Sequence, residues 1–179
     1  MVYVFLANGF EEIEAVATID VLRRAGLHVV TVGIGGKEIV GSHDIRVLAD
    51  CEEQDVNMQK ARAVVLPGGM PGTLHLEASE TVQNALDFAV EHQLLIAAIC
   101  AAPSILGHKN ILNGKQAIAY PGFEKELTGA IISEKPVIKD GNVITAKGAG
   151  VAIAFGLEIA AVLTSEEKAN LVKEAMQCL

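Results

Sequence analysis

Three places in the sequence carry side chains or backbone able to do chemistry. They are Cys100 in "LLIAAICAAPSIL" (94–106), Glu14 in "GFEEIE" (9–14) and the paired glycines of "LPGGMPG" (66–72). A thiol attacks carbonyls or reduces peroxide as its thiolate, and the N-terminus of a helix favours that charged form. Pro103 is tolerated in the first turn of a helix, so the chain from about residue 101 reads as helical. That makes Cys100 the hinge between a buried strand and a helix, an elbow that exposes its side chain. The placement predicts a thiol more acidic than the reference value of ~8.5. The competing reading is a packed residue, because free cysteine is among the most buried residue types. "AICAAP" also lacks the flanking glycines of the hydrolase elbow G-x-S-x-G.

Glu14 falls on one helical stripe with Phe10, Ala17 and Val21, within the face that should be apolar. A carboxyl group buried there relieves its desolvation by holding a proton, and can then donate a hydrogen bond to a thiolate or pass the proton in catalysis. The alternative is that Glu14 simply joins Glu11 and Glu12 among the acids favoured at a helix N-terminus. In the third place, Gly68 and Gly69 follow an apolar run and allow close approach of a ligand to the backbone. The Gly69 amide beside the Ala101 amide forms a candidate oxyanion site, unless the loop is a plain flexible turn. It is not a phosphate loop, since no G-K-[ST] follows.

The elements that must position these residues alternate along the chain. "VYVFLA" (2–7) reads as a buried strand, "EEIEAVATIDVLRRA" (11–25) as a helix stopped by Gly26, and "HVVTVG" (28–33) as the next strand. "IRVLAD" (45–50), "RAVVLPGG" (62–69) and "LLIAAI" (94–99) read as further strands, with a helix over 79–93 capped by Ser79. Asp140-Gly141 between two alternating runs (135–146) signals a hairpin, and helices over 151–163 and 165–176 follow. The pattern predicts an α/β sandwich around a mostly parallel sheet, formed as one domain over residues 1–179. In such sheets chemistry gathers beyond the carboxyl ends of the strands. Glu14 follows the first strand and Cys100 a later one, so both belong to that edge.

Composition removes several classes of function. The 179 residues are 51% hydrophobic, enough for one substantial core, and the net charge of −8 argues against direct nucleic-acid binding. "MVYVFLANGFEE" has no basic stretch before its apolar run, so no signal peptide is expected, and no apolar stretch reaches the ~18 residues of a membrane helix. Cys51, Cys100 and Cys178 are odd in number and far apart. Free thiols, a cytoplasmic location and no metal or cofactor are the expectation. A mean hydropathy of +0.38 predicts that some apolar surface is hidden between two copies of the chain. Ile13, Val16, Ile19 and Leu22 on the first helix are the expected contributors.

Five motifs, "GFEEIE", "LRRAG", "VVLPGG", "AAICAAP" and "KDGNVITAKGAG", occur in this order over nearly the whole chain. In this the sequence resembles the ThiJ/PfpI superfamily, and within it the branch of the parkinsonism-associated deglycase and redox sensor. The resemblance implies a flavodoxin-like three-layer sandwich of the class I glutamine-amidotransferase type, usually a homodimer. It implies a reactive elbow cysteine at Cys100 and a conserved acid at Glu14. The activities it implies are glyoxalase or deglycase chemistry on methylglyoxal adducts, peroxide sensing in oxidative stress, and chaperone or protease-like roles.

One departure bears on mechanism. Where several family members carry a histidine before a proline, this chain has Tyr120 before Pro121. Tyrosine, with a reference pKa of ~10, is a poor base near neutrality, which weakens a Cys–His hydrolase of the protease or amidase type. Among the other histidines only His43 and His75, in loop-rich segments, have the freedom to approach. Two classes of function remain. Cys100 attacks small reactive carbonyls, with Glu14 moving protons, the Gly69 and Ala101 amides holding the oxyanion, and Gly68 and Tyr120 in support. Alternatively Cys100 is an oxidation-sensitive thiolate whose peroxide products Glu14 stabilises, in a redox-regulated protein or chaperone with little turnover.

Overall fold

Period-two burial builds the centre of the molecule. In the first strand Val2, Val4 and Leu6 face one core while Tyr3 and Phe5 face the other, as the alternation of side chains along a strand requires. The protein was analysed as a computed structural model that describes residues 1–178. In chain order the elements are β1 (Val2–Leu6), α1 (Glu12–Arg24), β2 (Val29–Gly33), β3 (Glu38–Val40), β4 (Arg46–Leu48), β5 (Cys51–Glu52) and β6 (Ala63–Leu66). They continue with α2 (Gly72–Ala78), α3 (Glu80–Glu91), β7 (Leu95–Ile99), α4 (Pro103–His108), β8 (Gln116–Ala117), β9 (Ile131–Ile132), β10 (Val137–Asp140), β11 (Val143–Ala146), α5 (Ala152–Leu163) and α6 (Glu166–Ala175).

The main sheet has seven strands in the order β10-β11-β7-β6-β1-β2-β5. Every pairing in it is parallel except that of β10 with β11. Strands β1, β6 and β7 are buried along their whole length, which is why they read as continuous apolar runs. Helices α1, α5 and α6 cover one face through Val21, Leu22, Phe155, Ile159 and Val172. Helices α2, α3 and α4 cover the other through Leu76, Leu86, Ile105 and Leu106. The result is the expected α/β sandwich with a mostly parallel central sheet. No helix among the described residues is long and apolar enough to cross a membrane.

Several local expectations hold and some do not. Ser79 caps α3, its side chain accepting from the Val82 amide. Residues 45–50 do not join the main sheet. Arg46–Leu48 instead pairs antiparallel with Glu38–Val40 in a separate ribbon, and the sheet edge is the two-residue β5. In the β10-β11 hairpin Asp140 pairs with Val143, so the turn is Gly141-Asn142 and lies one residue later than the Asp-Gly signal implies. The helix α2 and the short pair β8-β9 had no clear signature, being seven and two residues long. Leu22 is fully buried within the chain and offers nothing to a second copy.

Candidate active site

Strand β1 lies inside the sheet between β2 and β6, and the chain leaves it toward β2 on one side and returns as β6, β7 and β11 on the other. The carboxyl ends around such a reversal leave a crevice. Glu14 follows β1, Gly68 and Gly69 follow β6, and Cys100 follows β7, so the topology alone delivers all three to this crevice.

Cys100 adopts φ +65, a left-handed conformation that costs a non-glycine residue ~1–2 kcal/mol and persists only when the surroundings impose it. Here they do so from two directions. The Cys100 N–H donates to the Ala146 carbonyl at 2.9 Å, and its own carbonyl accepts from the Tyr120 N–H at 2.8 Å. The turn aims the side chain at the glycine loop, and the helix that follows begins at Pro103 rather than at residue 101. A Cβ on Gly68 would lie 2.6 Å from Cys100 Cβ and 2.8 Å from Glu14 Oε2. Only glycine leaves room there for the thiol and the carboxyl to meet. Gly69, at φ +92, brings its bare backbone against the start of α1.

Glu14 is 1% exposed. Its Oε2 accepts from the Gly68 N–H at 2.8 Å, while Oε1 is buried with no hydrogen-bond partner among the described residues. Burial pushes the Glu14 carboxyl up to about 7, aided by the charge of Glu11 and opposed by hydrogen bonds from the Cys100 thiol and the Gly68 amide. Glu14 does lie in the first turn of α1 with Glu12, as the alternative reading has it, but it is buried and does not cap the helix. The cap is Glu11, whose side chain accepts from the Glu14 N–H.

The thiol departs from expectation. Burial pushes Cys100 up to about 12, with the charge and hydrogen bonding of Glu14 adding to it, and the N–H groups of Ala101 and Gly69 only partly compensate. A helix of six residues supplies too little to overcome burial together with the Glu14 charge. Thiol and carboxyl therefore act as a coupled pair that gives up its first proton near neutrality and its second far above it. When the proton resides on Glu14 the opposing charge is gone, and a thiolate faces one carboxylic acid and two amides. The Ala101 and Gly69 amides both favour the charged form of the sulfur.

The remaining predicted residues are placed as follows. Tyr120 is held beside Cys100 by its backbone, and the residue is 51% exposed. No histidine takes the base position. His43 is bound to Glu12, Nδ1 to Oε2 at 2.9 Å, and His75 Nδ1 meets the Asn8 carbonyl at 2.8 Å. His108 lies between Glu77 (Nδ1, 2.5 Å) and Glu126 (Nε2, 3.1 Å). Glu11, Glu12 and His43 place potential metal-ligand atoms within 4.8 Å of one another, but both Glu12 oxygens already accept from residues 42–45. All three cysteines are free. Sequence reasoning missed Gly148, which packs between Tyr120 and Glu14. Its only signal was its place in "KDGNVITAKGAG".

Residues 1–162 match the DJ-1/PfpI family. The chain belongs to that family. Among its DJ-1 relatives, Drosophila melanogaster protein dj-1beta is 39% identical over 176 residues, covering 97% of this chain and 94% of the relative. The solved structure of oxidised Toxoplasma gondii DJ-1 superimposes with a TM-score of 0.94 at 33% identity, covering 98% of this chain and 97% of that one. The Caenorhabditis elegans glutathione-independent glyoxalase DJR-1.2 is 33% identical over 162 residues, 89% of this chain and 86% of the relative. The DJ-1/PfpI assignment agrees with the flavodoxin-like sandwich described above.

Proposed function

We propose that this DJ-1-type protein converts small α-oxoaldehydes, or the adducts they form on proteins, into hydroxy acids through Cys100. The observation that carries the reading is the buried, unpartnered Oε1 of Glu14 in a carboxyl coupled to the Cys100 thiol. The thiolate attacks the aldehyde carbon, a C–S bond forms, and the carbonyl electron pair moves to oxygen, which takes the proton from Glu14. The Ala101 and Gly69 amides face the developing oxyanion. Glu14, now a carboxylate, removes the proton from the former aldehyde carbon to give an enediol and returns it to the neighbouring carbon, while the hydroxyl proton passes to the former ketone oxygen and a thioester results. Water then cleaves the resulting thioester, so methylglyoxal plus water gives lactate and free thiol. A carboxyl titrating near 7 suits both halves of this transfer, and no histidine is required. The glyoxalase name of the nematode relative supports the same reading.

A second reading is favoured by the same amides and by the oxidised Toxoplasma structure: peroxide converts Cys100 to its sulfinic acid, with Glu14 donating to the new oxygen. The partner is taken to be a second copy of the chain. Ile13 and Val16 of α1 and Ile45 and Leu48 of the β3-β4 ribbon are 57%, 49%, 55% and 72% exposed. Val16 and Leu48 line one groove, which a two-fold mate would cover.

The test is lactate formation from methylglyoxal by wild type, Cys100→Ser and Glu14→Gln. Turnover by wild type and loss of about a hundredfold or more in both variants is expected for a nucleophile and a general acid–base group. Lactate formation by Cys100→Ser at the wild-type rate overturns the proposal.

A further inference from the structure

A groove of about 340 Å³ lies between Tyr120 and Pro121 on one wall and residues 147–151 on the other. Two contacts tie its walls to the candidate active site. Tyr120 donates its N–H to the Cys100 carbonyl, and a Cβ on Gly148 would stand 3.3 Å from Tyr120 Cδ2 and 3.9 Å from Glu14 Oε1. Gly148 is thus the floor on which the Tyr120 ring rests and behind which the catalytic acid lies. The ring does not float. Two residues earlier, the Ile118 N–H is fixed to Thr145 Oγ1 at 2.9 Å, so the segment carrying Tyr120 is tied to both β11 and the elbow. With its ring edge against Gly148, Tyr120 as a residue remains 51% exposed. A large aromatic surface left open beside a nucleophile is a platform for a flat apolar group.

Resting on the reading of Cys100 as a carbonyl nucleophile, we propose that Tyr120 is a specificity-determining residue whose ring, seated on Gly148, binds the substituent of the substrate and favours planar apolar groups over a methyl group. The occupant of the groove is the substituent of a molecule held at Cys100. Val151 and Pro121 give it apolar walls, and the exposed Lys147 stands at the rim in contact with water. The phenol hydroxyl has no part in this. It is the ring that stacks.

The experiment measures modification of Cys100 by methyl and benzyl methanethiosulfonate, which share one electrophile and differ only in the substituent. Mass mapping separates Cys100 from Cys51 and Cys178. Tyr120→Ala is expected to lower the benzyl-to-methyl rate ratio roughly fivefold, within the range of an aromatic stacking contact, and Tyr120→Phe to keep it. An unchanged or increased ratio in Tyr120→Ala overturns the platform, and so does an equal fall in Tyr120→Phe, which would place the effect on the hydroxyl. The kcat/KM ratio of phenylglyoxal to methylglyoxal is expected to move in parallel. If wild type consumes neither oxoaldehyde while the labelling ratio falls in Tyr120→Ala, the turnover reading fails and the platform stands.

Discussion

Replacing Glu14 by Gln should change how stability depends on pH, and the size of the change follows from the burial of the carboxyl. Glu14 moves from 4.5 in an unfolded chain to about 7 in the folded one. A raised folded value means that the native state holds a proton the unfolded state has released. The associated stability is complete below pH 4.5 and is lost as pH rises through 7. Each tenfold change in an ionisation constant corresponds to ~1.4 kcal/mol, so the loss amounts to about 3 kcal/mol, most of it between pH 5 and 8. Glutamine keeps an amide oxygen to accept from the Gly68 N–H and carries no titrating proton. Urea unfolding of both proteins at pH 5, 6, 7 and 8 isolates the effect. The stability of Glu14→Gln relative to wild type should rise across this range by about 2–3 kcal/mol. The sign does not depend on which member of the Cys100–Glu14 pair releases the first proton, because linkage counts protons and not their addresses. A relative stability that stays flat, or that falls with pH, would refute the buried, proton-holding carboxyl and the mechanism built on it.

Other consequences can be checked independently. In Glu14→Gln the Cys100 thiol loses the charge that opposes its ionisation, so thiolate absorbance should appear in one step well below the about 12 of the charged pair; a step unmoved from there contradicts the coupling. Gly68→Ala forces a methyl group into the thiol and the carboxyl, and should lose oxoaldehyde turnover with a stability cost of ~1–3 kcal/mol, read by denaturation and lactate assay. His108 is raised above its ordinary value by Glu77 and Glu126, so the clasp of α4 to α2 is fully present below pH 6.5 and weakens as pH rises through the raised value. The melting-temperature difference between wild type and His108→Gln should therefore shrink from pH 6 to pH 9. Light scattering should give twice 18.8 kDa for wild type and a single-chain mass for Ile13→Asp with Leu48→Asp; a single-chain wild type removes the second copy.

The sequence by itself determined the alternation of strands and helices, because each buried strand is an apolar run and each surface helix a periodic one. It also singled out Cys100, Glu14 and the Gly68-Gly69 loop, since strand-to-helix hinges and adjacent glycines are local features. Residues 45–50 misled because Ile45, Val47 and Leu48 have the composition of a sheet strand, while only the path of the chain after β2 sends them into a ribbon. Of the site's ionisation, the proton-holding carboxyl of Glu14 was legible from its place on an apolar stripe, and the raised thiol was not. A helix N-terminus is visible in sequence and lowers a thiol, but the burial that raises it is tertiary, and the carboxyl that adds to it stands 86 positions away, counted from Glu14 to Cys100, and meets it only because Gly68 lacks a side chain. Gly148 and the backbone of Tyr120 were hidden for the same reason. Local pattern decides which residues are able to react, whereas the order of strands in the sheet decides which of them share a proton.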